Sequence, residues 1–265
     1  MRPGQRLWLA LLLAWLLLPL LPLLVWSFAK GWHYPQLLPA TWSLDAWRYV
    51  LAPESQVLQS FGSSILCSAS VAVLATLAGV PAGRALGMFE FRGKRLFELL
   101  VIAPTIVPGL AVALGLHVIF IRLGLANSLP GVIIVHLIPT LPYMALVMAG
   151  VFANYDASYE EQARSLGAGT WAVWRHVVLP AVYPGIIVGA LFAFIVSWSQ
   201  YVMTLLIGGG KVVSVPLLLF NFASAGRNDI AGAISILYIV PGVLIILLSA
   251  RHLRGVGAMR TYSNP

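Results

Sequence analysis

The stretch that decides the fold is residues 154–180, Asn154-Tyr-Asp-Ala-Ser-Tyr-Glu-Glu-Gln-Ala-Arg-Ser-Leu-Gly-Ala-Gly-Thr-Trp-Ala-Val-Trp-Arg-His-Val-Val-Leu-Pro180. It is a long polar segment between two apolar runs, and it reads as a short helix, a turn and a second short helix. Asp156 or Ser158 can cap the first turn, and Glu160 and Glu161 suit the positive end of its dipole. Gly167 and Gly169 then stop the helix. Leu179, Pro180 and Pro184 open the next apolar run, where a proline in the first turn gives up no needed hydrogen bond.

On either side of this segment the chain is apolar. Hydrophobic residues make up 60% of the 265 positions and charged residues only 9%, against about 25% charged in a soluble domain. A bilayer crossing needs about 20 apolar residues. Runs of that kind fall near 7–29, 62–86, 99–121, 129–153, 181–207 and 230–250, which predicts an all-α membrane protein of six transmembrane helices in a single domain over residues 1–265. The first run follows Arg2 and Arg6 as a secretory signal would, but it is long for one and lacks a small-residue cleavage site, so it is expected to be retained.

Alternate connections divide the cations unequally. Arg2, Arg6, Arg84, Arg92, Lys94, Arg95, Arg164, Arg175, Arg251, Arg254 and Arg260 fall on one side, and Lys30, Arg48, Arg122, Lys211 and Arg227 on the other. Positive charge is retained in the cytoplasm, so both termini and the 154–180 loop are expected there. The net charge of +8 is scattered between apolar runs and suits anionic lipid rather than nucleic acid.

Residues 30–61 then form an external loop whose Trp32, Tyr34, Trp42, Trp47 and Tyr49 suit the membrane interface. Gly79, Gly83 and Gly87 lie four apart, so one face of the second span can let a neighbouring helix come close. Pro104 and Pro108 in the third span, and Pro139 and Pro142 in the fourth, each remove a backbone donor and bend their helix. Cys67 lies inside a span and reads as a small packing residue.

Ion-coupled carriers place titratable groups inside the membrane. Here Asp45, Glu54, Glu90, Glu98, Asp156, Glu160, Glu161 and Asp229 all fall in loops or at span edges. His117 and His136 are the ionisable residues well inside spans, and a hydrogen bond to a neighbouring helix accounts for each. Energy is therefore expected to come from another chain. Gly87…Gly93-Lys94-Arg95 has five intervening residues and an Arg in place of the P-loop Ser or Thr, and Gly208-Gly209-Gly210-Lys211 fails the spacing too. No catalytic or metal-ligating constellation is expected either.

With these residues in view, the 154–180 segment resembles the EAA loop of binding-protein-dependent ABC importer permeases: Glu-Ala-Ala, three residues, Gly, nine residues, Ile, one residue, Leu-Pro. Here stand Glu161-Gln162-Ala163, Gly167, Val177, Leu179 and Pro180 at the same spacings, with Gln162 for Ala and Val177 for Ile. Ala103-Pro-Thr-Ile-Val-Pro108 and His136…Pro142-Tyr143 are similar to the spermidine/putrescine-type permeases. The resemblance implies a type I, MetI-like permease in a bacterial or archaeal cytoplasmic membrane. It implies as partners two ABC ATPase subunits, a second permease subunit, identical or homologous, and an extracytoplasmic solute-binding protein. No cofactor is expected in this chain, ATP and Mg belonging to the ATPases. Glu160, Glu161, Ala163, Arg164, Leu166, Gly167, Leu179 and Pro180 are the expected ATPase-coupling residues.

Ser197, Trp198, Ser199, Gln200 and Tyr201 form the densest polar patch within a predicted span, and polar groups at that depth need partners in protein, water or solute. They are the expected substrate pathway, with Asn221 a weaker candidate. The patch carries no carboxylate, so the charge to match a dication would come from a partner subunit. The predicted function is inward movement of a small polar solute, with polyamine-like solutes one class, by alternating access driven by separate ATPases. A secondary transporter or channel, and a membrane enzyme, are the alternative readings.

Overall fold

The computed structural model describes residues 3–32, 35–36 and 38–260, and only the backbone of residues 3, 246 and 248–260. Arg2 and Tyr34 therefore lie outside the described residues, as do the side chains of Arg251, Arg254 and Arg260.

The helices in chain order are α1 (Pro3–Leu17), α2 (Leu21–Phe28), α3 (Asp45–Leu51), α4 (Val57–Met88), α5 (Lys94–Ile106), α6 (Gly109–Arg122), α7 (Leu129–Ala153), α8 (Ser158–Ser165), α9 (Thr170–Val173), α10 (Leu179–Trp198), α11 (Val202–Gly208), α12 (Val215–Ser224) and α13 (Asn228–Arg260). Among the described residues five helical stretches are long and apolar enough to cross a membrane, and six if one sharply bent pair is taken as a single crossing. The chain divides into two compact units, residues 1–62 with 214–243, and residues 63–213 with 244–265.

In the first unit, Pro19 and Pro22 tighten the join between α1 and α2 into a 3₁₀ turn over Leu18–Leu20, as residues lacking an amide hydrogen do. Two short strands, β1 (Ala29–Lys30) and β2 (Thr41–Trp42), pair antiparallel with Ala29 opposite Trp42. Lys30 reaches Asp45 of α3 at 2.7 Å, and the ring of Tyr49 meets Phe222 of α12 edge-on. The expected external loop is thus a small hairpin followed by a helix.

The second unit is centred on α7, whose Val132, Val135, Met144, Ala145, Met148 and Phe152 are buried. The glycine face of α4 lies against it. A Cβ added at Gly79 would stand 2.6 Å from Met144 Cγ, and one at Gly87 2.5 Å from the Ala149 carbonyl oxygen, so only glycine permits this approach. The core there is Ala75, Val80, Met144, Met148, Phe152 and Val182.

Two expected spans are broken. Over 99–121 the chain forms α5 and α6, meeting at 102°. Pro108 has no amide hydrogen, and it drives the preceding Val107 into an extended conformation, φ −76° and ψ 132°. Over 181–207, α10 ends at Trp198 and α11 begins at Val202. That second break contains neither proline nor glycine.

Candidate functional site

Each half of the 154–180 segment folds for a local reason. The Asp156 carboxylate accepts from the Ser158 amide at 2.9 Å, which caps α8 and holds the carboxyl below the ordinary carboxylate range. At the other end the Gly167 N–H donates to the Arg164 carbonyl at 2.9 Å and the Ala168 N–H to the Ala163 carbonyl at 3.0 Å, the paired bonds of a Schellman stop. Gly167 is left-handed there, φ +85°. α9 follows and runs into a π-helical turn, Trp174–Val178. Leu179 N–H donates to the Trp174 carbonyl across five residues, a register shift placed just before Pro180, which has no hydrogen to continue the ordinary ladder.

The expected coupling residues divide between two faces. Glu161, Arg164 and Gly167 are exposed, and Leu166 is 90% exposed with Trp171 beside it at 77%. Leu179 and Pro180 are exposed at the start of α10. Ala163 instead packs on the core of the second unit, and Glu160 is buried.

Glu160 accepts two hydrogen bonds from Arg84 Nη2, at 2.8 and 2.9 Å, and a longer one from Arg164 at 3.4 Å. The Arg84 guanidinium also lies 5.0 Å from the Trp174 ring centroid and 5.9 Å from that of Phe152. The helix end favours the acid: Glu160 is in the first turn of α8, near its positive pole. With side chains only 15% and 6% exposed, the pair is unlike a solvated surface bridge. Removing one partner from such a pair costs on the order of 3–5 kcal/mol, because the other charge stays buried. Tyr155 lies in the same environment. Its hydroxyl is buried without a hydrogen-bond partner among the described residues, and burial, then the Glu160 charge, push its pKa above the ordinary phenol value.

Deeper in the second unit, His136 of α7 joins the two sides of the α10–α11 break. Its Nδ1 lies 2.9 Å from Ser197 Oγ and its Nε2 3.0 Å from Thr204 Oγ1. Thr204 Oγ1 also donates to the Gln200 carbonyl. One ring nitrogen of the neutral imidazole donates and the other accepts, so both hydroxyls are served. The free thiol of Cys67 sits 3.8 Å from Nδ1. Of the expected pathway residues, Ser197 and Trp198 are buried, the latter stacked on Phe194 at 5.9 Å. Ser199 is exposed, and Gln200 and Tyr201 are half-buried in the break itself. Asn221 is exposed on α12, and His117 is half-buried on α6.

Sequence reasoning missed Arg84, Trp174 and Thr204. Arg84 was legible only as a cation counted for topology, since its acidic partner lies 76 residues away.

Long apolar helices, two of the runs broken, with a short polar helix pair latched at the end of one of them, define a multi-pass membrane protein. Residues 79–254 match the family of binding-protein-dependent transport system inner membrane components, and the chain belongs to that family. It is 24% identical over 236 residues to the spermidine/putrescine transport system permease protein PotC of Haemophilus influenzae, covering 89% of this chain and 91% of that one. It is 30% identical over 227 residues to the molybdenum transport system permease protein ModB of Mycobacterium bovis, covering 80% and 82%. Among solved structures, a bacterial ABC transporter involved in alginate import aligns with a TM-score of 0.70 at 19% identity over 94% of each chain. The MetNI methionine ABC transporter aligns at 0.61 and 17% identity, over 75% of this chain and 95% of the other. The chain is a permease of an ABC importer with the MetI-like fold, and these matches favour that reading over a secondary transporter, a channel or a membrane enzyme.

Proposed function

We propose that this chain is the non-catalytic membrane subunit of an importer in which α8 and the turn after it seat in a groove of a separate ATPase subunit. The observation that carries the reading is the outward face of that element. Leu166, just after the last turn of α8, and Trp171 of α9 stand 90% and 77% exposed, while Ala163 of α8 packs on the core and Glu160 is buried. A large apolar side chain held that far into solvent by a rigid support suits a helix-in-groove contact.

Two ATPases beneath two permease subunits, with ATP and Mg on the former, would drive alternation between outward- and inward-facing states, and the family's description as binding-protein-dependent supports delivery by an extracytoplasmic binding protein. Both termini then lie in the cytoplasm, in agreement with the distribution of Lys and Arg. For the solute, the relatives' names span a polyamine and molybdenum. The break at Ser199–Tyr201 offers hydroxyl, amide and phenol groups and no charge, which supports a small polar solute whose charge is matched by another subunit.

The test is Gly167→Trp. A Cβ at Gly167 meets nothing within 4 Å, so the side chain starts in open space, and its strain at positive φ amounts to about 1–2 kcal/mol. Its bulk would fall on the docking face. The variant should insert normally yet lose the stimulation of ATP hydrolysis by binding protein in the reconstituted importer. Gly167→Asn, which tolerates that backbone conformation, separates strain from bulk and should retain more of it. Full stimulation with Gly167→Trp would contradict the docking.

A further inference from the structure

We propose that Arg84 is a positioning residue for energy coupling, binding the docking element laterally to α4 so that α4 and the helix pair move as one body. The inference rests on the reading of α8 as the ATPase-docking helix and adds a residue outside the 154–180 segment.

A force applied at Leu166 has two covalent routes to the membrane helices. Along the chain it passes through residues 154–157 to α7, and through α9 and the π-helical turn to α10. A π-turn is a point of altered register, and a link of four residues without regular structure bends readily, so the covalent routes are compliant. Arg84 supplies a stiff route to the side. Its partners come from three successive pieces of chain: Phe152 at the end of α7, Glu160 on α8 and Trp174 in the π-turn. One guanidinium therefore closes the junction at which the docking helix, the helix before it and the helix after it meet.

The chemistry suits that task. An exposed ion pair would be mobile and worth little, whereas this one is nearly dry. Arginine suits both tasks at once, because Nη2 reaches both Glu160 oxygens while the same guanidinium lies over the Trp174 and Phe152 rings. Lysine would keep the charge and lose the planar guanidinium that lies over the two rings. The close approach of α4 to α7 at Gly79, Gly83 and Gly87 means that a pull on Arg84 is delivered to a tightly packed helix pair rather than to a loose one.

The experiment uses the whole importer in lipid vesicles: this subunit, its partner permease, the ATPases, and the binding protein purified in loaded form from its native host. Three quantities are read, namely retention of the ATPase subunits, thermal midpoint, and the stimulation of ATP hydrolysis by the binding protein. Arg84→Gln and Glu160→Gln should each retain the ATPase but lose about five- to tenfold of the stimulation, the lower end of the usual span of a coupling between sites. The double variant should be no worse than either single, since both remove one interaction. Arg84→Lys, which preserves the charge and so the fold, should fall between.

Normal stimulation in Arg84→Lys and Arg84→Gln would overturn the proposal. So would a lowered thermal midpoint with unchanged stimulation per folded complex, which would make the pair purely structural. Leu166→Asp, measured alongside, tests the underlying reading by itself. If it retains both ATPase and stimulation, the docking assignment fails; if it loses them while the Arg84 variants behave normally, only the role of Arg84 is overturned.

Discussion

The second unit contains two polar junctions of opposite character. At the end of α4, Arg84 and Glu160 form a charged pair between aromatic rings, at the foot of the polar helix pair. At the α10–α11 break, His136, Ser197 and Thr204 form a neutral set within the apolar runs. The difference follows from depth. Inside hydrocarbon a charge is expensive and a hydroxyl–imidazole bond suffices, whereas at the edge of the bundle a full ion pair can be sustained by a helix dipole and ring faces. Charge thus sits at the foot of the polar helix pair, and neutral hydrogen bonds join the two segments of the broken run.

That contrast is ranked by stability. Arg84→Leu should have the larger effect, about 3–5 kcal/mol, because it leaves Glu160 buried with only the distant Arg164. His136→Leu should cost about 1 kcal/mol, in the range of hydrogen bonds inside membrane proteins, since Thr204 keeps its bond to the Gln200 carbonyl. Thermal midpoints of the two variants in one detergent compare them directly, and a larger loss for His136→Leu would reverse the ranking. The smallest effect is expected at the exposed cap. The Asp156 carboxyl is held below its ordinary range by the Ser158 amide, so its contribution is complete above the ordinary carboxylate value near pH 4 and is lost as pH falls through the lowered value. Asp156→Asn should remove that acid dependence and little else; an unchanged pH profile would show that the cap contributes nothing.

Much of this was legible in the sequence because it is local. The apolar run 129–153 and helix α7 share both ends; the Gly79, Gly83 and Gly87 spacing anticipated the close contact with α7; Asp156 and Gly167 bracket α8 as their capping chemistry requires. The bend at Pro108 was legible as a bend, though not as a 102° turn between two helices. The break after Trp198 was hidden, because no proline or glycine marks it and its hydrogen-bond partner is a histidine on another helix. For the same reason Glu160 and Ala163 read as docking residues, whereas tertiary contacts turn both inward. A periodic pattern shows which residues share a face, and only the packed partner fixes where that face points.

The central claim is that the tip of α8 touches an ATPase. Cys67, the chain's one cysteine, is buried, so Leu166→Cys places a single exposed thiol at the site where contact is expected. In the assembled importer, a short thiol-reactive crosslinker at Leu166→Cys should join this chain to the ATPase subunit, at higher yield with ATP bound. Crosslinking to the binding protein instead, or labelling by a membrane-impermeant reagent added outside intact cells, would contradict the account.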